Sequence, residues 1–352
     1  MKRLFKLLNL SICIAMISIF FVGCNKNNYS EEINFFNYGE NIDDETVKEF
    51  EKEYGIKVNI ETFDDMEAMY QKVKGGGVKY DVVLVSDAFM PRMINNNLIQ
   101  ELSKDDIPNI SQMDEEYLNL DIDPGNKYSV PYMFGTVGLI YNKDVIKEKV
   151  DSWDILWNEK YKNQIFMFDT YRDTLGVALK KLGYSLNSTN EKEIKEAEEL
   201  LLKQRKLVDP IYGVDNGTVM IPAGESDINM IWSGEGLNLQ DEYPNLEYVV
   251  PKEGANFWID SLCIPSNATN VEGAEKFINF VSDKESALRI ADEIGYTTPN
   301  KDARLEQPEE VRNNPNAYMT KEIMDRCEIY VDLPKDVKRL YDDAWVNIKS
   351  NN

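Results

Sequence analysis

From residue 32 the chain alternates short β-branched or aromatic runs with longer amphipathic segments, a rhythm that packs helices onto a sheet. INFFNY (33–38) predicts a strand, Asp43-Asp44-Glu45 opens a helix through Tyr54, and Gly55 stops it. IKVNIETF (56–63) predicts the next strand, MEAMYQKVKGGG (66–77) a helix ending in glycines, and YDVVLVSD (80–87) a strand buried on both faces. Strand, helix, strand, helix, strand implies parallel pairing with right-handed crossovers. The rhythm resumes after residue 163 with a strand (NQIFMFD), a helix (TYRDTLGVALKKLGYSL) and a second helix (EKEIKEAEELLLKQRKL). INMIWSG (228–234), LEYVVP (246–251) and FWIDSLCIP (257–265) predict further strands. After residue 270 the pattern is helical, with Ala274, Phe277, Ile278 and Val281 on one face, a turn at YTTPN (296–300) and a last helix over 332–349. No Gly/Ser-rich linker divides the chain, so two α/β lobes are expected between which it crosses more than once.

The first residues predict a targeting signal. Lys2, Arg3 and Lys6 precede an apolar stretch from Leu7 to Val22, short for a membrane span, and Phe21-Val22-Gly23-Cys24 resembles a bacterial lipobox. The expectation is a lipoprotein signal peptide over 1–23, lipidation at Cys24 and a polar tether over 24–31; a plain cleaved signal and an uncleaved anchor helix are the alternatives. Cys263 and Cys327 then remain in the folded part, as two thiols or as one disulfide.

The 352 residues include 62 Asp or Glu, 39 Lys or Arg and no His, for a formal charge of −23 at pH 7. Without His there is no Ser-His-Asp or Cys-His nucleophile and no imidazole metal ligand. The acidity argues against nucleic acid and favours neutral or cationic partners. Gly75-Gly76-Gly77 lacks the Lys-Ser/Thr of a phosphate loop and reads as a helix stop; neither a cofactor nor a metal is expected. The acidic runs at 114–116 and 241–242 read as solvated surface.

More informative are carboxylates beside aromatics at predicted strand ends, where open α/β sheets bind ligands. Tyr38 and Glu40 follow the first strand, Ser86 and Phe89 the third, and FDTYRD places Asp169, Thr170 and Asp173 at a strand end and first helical turn. Trp232 and Glu235 follow another strand, Trp258 and Asp260 share one face of an extended segment, and Tyr296 lies in the YTTPN turn. Each has a structural alternative. Asp169 and Asp173 suit a helix N-terminus, Glu40 a cap, Trp232 and Trp258 a core, and Phe89 and Tyr296 simple packing.

NYGE, PYMFGT, LKKLGYS, MIWSG, PKEGANFWIDSLCIP and EIGYTTPN, in this order, resemble the extracellular spermidine/putrescine-binding proteins of ABC importers, from about residue 33 to 349. The resemblance implies an α/β, periplasmic-binding-protein-like fold of type II, each lobe a mixed sheet flanked by helices, with a ligand cleft between lobes. It implies lobe one at 32–136 and 262–304, and lobe two at 137–261 and 305–352. Ligand residues fall by resemblance on Tyr38, Glu40, Ser86, Asp173, Trp232, Trp258, Asp260 and Tyr296. Departures are Tyr38 for the family's Trp, Ala88 and Asn41 where aromatics are usual, and Thr170 where a ligand carboxylate stands. Asp169, Thr170 and Glu235 are second-rank candidates. The implied function is capture of a polyamine, with no chemistry on it, and its delivery to the permease subunits and ATPase of an importer. The protein would be a monomer held on the extracellular side of the bacterial cytoplasmic membrane, or in a periplasm, by its lipid alone. Capture of another small organic cation or solute is the nearest alternative, and a carbohydrate-cleaving lipoprotein using Asp173 and Asp260 a more distant one.

Overall fold

The computed structural model describes residues 29–39, 41–214 and 216–350. The expected signal peptide, Cys24 and Glu40 lie outside the described residues.

Local chemistry sets the first three strands. β1 (Glu31–Tyr38) leads into α1 (Asp44–Tyr54), whose N-cap Asp43 accepts hydrogen bonds from the Glu45 and Thr46 N–H groups. Gly55, with φ 68°, ends α1 in the left-handed cap conformation, and β2 (Ile56–Phe63) begins one residue later. α2 (Met66–Gly75) and β3 (Val82–Ser86) repeat the unit. β1 pairs in parallel with both β2 and β3. The short helix α3 (Met90–Asn95) follows, then turns run to β4 (Ser129–Asn142).

β4 is the longest strand, 14 residues. The sequence reading contains no strand here, because Pro131 and two glycines, Gly135 and Gly138, interrupt it and no polar alternation marks it. The register shifts between Pro131 and Met133, a bulge that accommodates the residue lacking an N–H. Both glycines are required by close approach. A Cβ at position 135 would lie 2.5 Å from the Trp258 ring, and one at 138 would lie 2.4 Å from the Tyr248 hydroxyl.

Beyond β4 come β5 (Ile165–Phe168), α4 (Tyr171–Lys181), α5 (Glu191–Val208), β6 (Ile211–Gly213), α6 (Gly217–Ala223), β7 (Ile228–Trp232), α7 (Ser233–Glu242) and β8 (Leu246–Val249). α4 stops short of the predicted 186, and Gly183 then turns the chain with φ 80°. β9 (Phe257–Cys263) precedes α8 (Val271–Val281), α9 (Lys284–Ile294), three short helices and the last long helix, Lys335–Ser350. The sheet order is β2-β1-β3-β9-β4-β7-β5-β6, with β8 also on β4. β9 runs antiparallel between β3 and β4; β4 then runs antiparallel to β7 and β8, while β5 is parallel to β6 and β7.

Strand alternation divides the core. Ile33, Phe35, Val82 and Leu84 face one way, packing with Phe50, Phe277 and Ile278, whereas Phe36, Val83 and Val85 face the other with Tyr70 and Met90. The largest cluster draws on residues 137–255 and 333–348, with Trp153, Phe166, Tyr248 and Tyr341 fully buried. A smaller one (Tyr117, Phe134, Phe257, Ile259, Tyr318) sits at mid-length of β4 and β9. Cys263 is buried, Cys327 half-buried, and both are free thiols. Among the described residues no helix is long and apolar enough to cross a membrane.

Gly138→Ala is expected to lower unfolding stability by about 1–3 kcal/mol, because the new methyl displaces Tyr248 and its 2.9 Å hydrogen bond with Thr136. A urea midpoint that falls while the denaturant slope holds would be the expected reading.

Candidate functional site

The candidate residues gather where β4 and β9 run side by side. At the end of β3, Ser86 stands opposite Asp260 of β9, which is itself in register with Met133 of β4. Enclosed between two neighbours, Asp260 is 7% exposed, and burial pushes its carboxyl up to about 7. Trp258, two residues earlier, lies over the β4 backbone at Gly135, and its indole Nε1 is buried without a hydrogen-bond partner among the described residues.

Tyr296 meets Trp258 edge to face, with ring centroids 5.2 Å apart at 77°. Its position is set by the next residue, for Thr297 bridges Phe134 of β4 and donates its hydroxyl to the Phe134 carbonyl at 2.5 Å. On its other side the Tyr296 ring presses on Gly234, in the first turn of α7. Burial pushes the Tyr296 phenol well above its usual range, reinforced by the negative charges of Glu235 and Asp260 and by Tyr38. Four other sequence candidates, Tyr38, Glu235, Trp258 and Asp260, thus lie near Tyr296.

Trp232 closes β7 and stacks on Phe168 of β5 at 4.4 Å, so one indole face belongs to the core while the side chain stays half-buried. Phe89 packs against Tyr70, as its packing alternative requires. In the first turn of α4, the Asp173 carboxylate accepts from the Thr170 hydroxyl at 2.5 Å and from the Tyr330 hydroxyl at 3.1 Å. Burial raises its pKa despite these bonds and despite Arg172. Thr170 is therefore committed to Asp173. Asp169 is not brought to the group, because its exposed carboxylate pairs with Lys349 of the C-terminal helix at 2.8 Å.

The structure adds residues that sequence reasoning did not select. Asp87, 3% exposed, donates its N–H to the Ile259 carbonyl at 3.0 Å, and burial together with Asp260 holds its carboxyl well above the usual range. Tyr330 is reached by Asp87 through its backbone N–H and by Asp173 through its hydroxyl, and the Arg172 guanidinium lies 4.4 Å over its ring. A signal for Asp87 existed, an acid directly after the strand VVLVS. Tyr330 sits in an aperiodic segment that offers none.

The family model for bacterial extracellular solute-binding proteins matches residues 45–320. The chain is 36% identical over 323 residues to a spermidine/putrescine-binding periplasmic protein of Salmonella typhimurium, covering 91% of this chain and 92% of that one. It is 33% identical over 341 residues to the putrescine-binding periplasmic protein SpuD of Pseudomonas aeruginosa, covering 90% and 92%. The solved structure of the spermidine/putrescine ABC transporter substrate-binding protein PotD of Streptococcus pneumoniae matches with a TM-score of 0.86 at 36% identity, over 92% of this chain and 99% of that one.

The raised Asp260 carboxyl has a thermodynamic consequence. It binds its proton more tightly folded than unfolded, so its contribution to stability is full below about pH 4 and is lost as pH rises to about 7. Between pH 4 and 7.5 the melting temperature of ligand-free Asp260→Asn should fall less than that of wild type. Parallel melting profiles would show that Asp260 keeps an ordinary carboxyl.

Proposed function

Because the chain belongs to the bacterial extracellular solute-binding proteins, and among them to the spermidine/putrescine-binding proteins, we propose that it captures spermidine or putrescine outside the cytoplasmic membrane and hands it to the permease subunits and ATPase of an ABC importer. This is a family of binding proteins, not of enzymes, which removes the two-acid hydrolase alternative. The observation that carries the ligand class is the buried Asp260 beside the edge-to-face pair of Trp258 and Tyr296, with Glu235 close by.

A polyamine is a flexible cation whose ammonium groups are separated by methylenes. Enclosing it requires a partner for each charge and cover for each apolar link. Carboxylates supply the first through charged hydrogen bonds, each about 1.5–3 kcal/mol. Aromatic faces supply the second and add cation–π attraction of about 0.5–2 kcal/mol. The proposed ligand set is Tyr38, Glu40, Ser86, Asp173, Trp232, Trp258, Asp260 and Tyr296, with Thr170 and Glu235 contributing at its margin. Asp169 has the weakest support, being engaged by Lys349.

The proposed lobes are 32–136 with 262–304 and 137–261 with 305–352, closing on the ligand. In support, the largest apolar cluster is drawn from 137–255 and 333–348, and two others from residues between 33 and 133 and between 262 and 290. The proposed anchor is a lipid on Cys24, and the proposed state a monomer.

Calorimetry with putrescine, spermidine, spermine and cadaverine should find one equivalent per chain at submicromolar affinity, mostly retained from about 0.05 to 0.5 M salt, since enclosed pairs are screened less than exposed ones. Asp260→Asn should weaken binding at least tenfold. Several weak equivalents that vanish in high salt would mean that an acidic surface, not a site, attracts the ligand. In cells, labelled palmitate should enter wild type and not Cys24→Ser; equal labelling would exclude Cys24 as the anchor.

A further inference from the structure

Four aspartates are buried among the described residues: Asp81, Asp87, Asp123 and Asp260. Two are satisfied within the fold. Asp81 accepts from the N–H groups of Asn34, Thr269 and Asn270, and Asp123 from those of Lys127 and Tyr128 and from the Ser129 hydroxyl. Asp87 differs. One side of its carboxyl is reached by the Ala88 and Tyr330 N–H groups, but Oδ2 is buried with no hydrogen-bond partner among the described residues. Nor does it cap the helix that follows, since α3 has no side-chain cap. An unpartnered carboxylate oxygen taken from water is an expense that stable folds avoid unless something else fills the place. Its neighbour is a second buried carboxylate, Asp260, one strand away across the antiparallel pairing of β3 with β9.

We propose that Asp87 is a ligand residue: with Asp260 it forms a carboxylate pair that holds one ammonium group of the ligand, and a proton holds the pair together when the ligand is absent. This rests on the polyamine reading given above. Two adjacent buried carboxylates cannot both stay ionised without a counter-charge, so one carries a proton in the empty protein. A primary ammonium brings one positive charge and three N–H donors, enough for Asp87 Oδ2 and for Asp260. On binding, the carboxyl O–H bond breaks, its proton leaves to the buffer, and the ammonium N–H groups donate to the two carboxylates; one positive charge replaces another, so the net charge of the pair with its cation is the same before and after. Among the described residues no cation bonds either carboxylate. Arg172 of α4 lends some positive charge to Asp87, but its guanidinium lies over the Tyr330 ring and donates to Asn187 Oδ1 and the Val331 carbonyl, and its neighbour Asp173 is bonded to Thr170 and Tyr330. Glu235 of α7 adds negative charge, and burial holds the Tyr296 and Tyr330 phenols well above their usual range, so both are neutral at working pH.

The test is calorimetric titration of putrescine into wild type and Asp87→Asn, at pH 5.5 to 8 and in two buffers of different ionisation enthalpy. Wild type should bind with release of close to one proton at pH 6.5, and its affinity should rise with pH by up to tenfold per unit. Asp87→Asn should bind at least tenfold more weakly, because the ammonium then meets one carboxylate instead of two, while a smaller proton release remains, since burial by itself holds Asp260 up at about 7. Its urea midpoint should equal or exceed that of wild type. Wild-type affinity together with wild-type proton release in the variant would overturn the proposal, as would a lowered midpoint with unchanged binding, which is the signature of a purely structural Asp87. Should Asp87→Asn fail to fold, Asp87→Ser carries the same expectations. Wild type that binds no polyamine at all defeats the functional reading itself, and the pairing falls with it.

Discussion

The antiparallel pairing of β4 with β9 is the contact on which the rest of the molecule hangs. From Ser129–Cys263 to Thr136–Phe257 the two strands run side by side; β9 pairs with β3 on its other edge, and β4 runs on to pair with β7 and β8. Much of what is proposed to touch a ligand is carried by this ribbon or by an element bonded to it, Tyr38 at the end of β1 and Asp173 in the first turn of α4 being exceptions. Trp258 and Asp260 are on β9, Ser86 is in register with it, and Tyr296 is pinned to β4 through Thr297. α7 is pinned to β4 as well, its Ser233 hydroxyl accepting the Thr136 N–H at 3.1 Å.

The same ribbon explains why acids can be buried here. A carboxylate between neighbouring strands, as Asp260 is, loses water on every side, and desolvation also raises Asp87, just past the end of β3, and Asp173, in the first turn of α4. Hydrogen bonds from Thr170 and Tyr330 temper the effect at Asp173. A fold that only needed stability would do better with apolar residues at such positions. On the proposed reading, carboxylates held there are raised in energy until a cation arrives, and part of the binding free energy would be relief of that cost.

How much of this the sequence discloses depends on where the determining contacts lie. α1 and its strands were legible because their signals are local: Asp43 caps, Gly55 terminates, and Ile33, Phe35, Val82 and Leu84 alternate. β4 was not. Its glycines look like breaks, and only the distant Trp258 and Tyr248 rings make them necessary. At the site, the pairing of Trp258 with Asp260 on one face follows from strand periodicity alone. The engagement of Asp169 by Lys349, 180 residues away, does not. The proximity of Asp87 to Asp260 is a matter of strand order that no short window contains.

A strand is also a ruler. Alternate residues stand about 6.5–7 Å apart along an extended backbone, so the step from the Trp258 ring to the Asp260 carboxylate is graduated in a unit that the chain cannot stretch. Nor can the scale be shifted by one division. A slip of β9 by a single residue against β4 would carry both side chains to the opposite face and drive the indole off Gly135, the gap in β4 that admits it. In the proposed site, then, the measure of length at the ribbon is invariant, and any tolerance for a longer or shorter cation would have to reside in the side chains mounted on turns and helix ends.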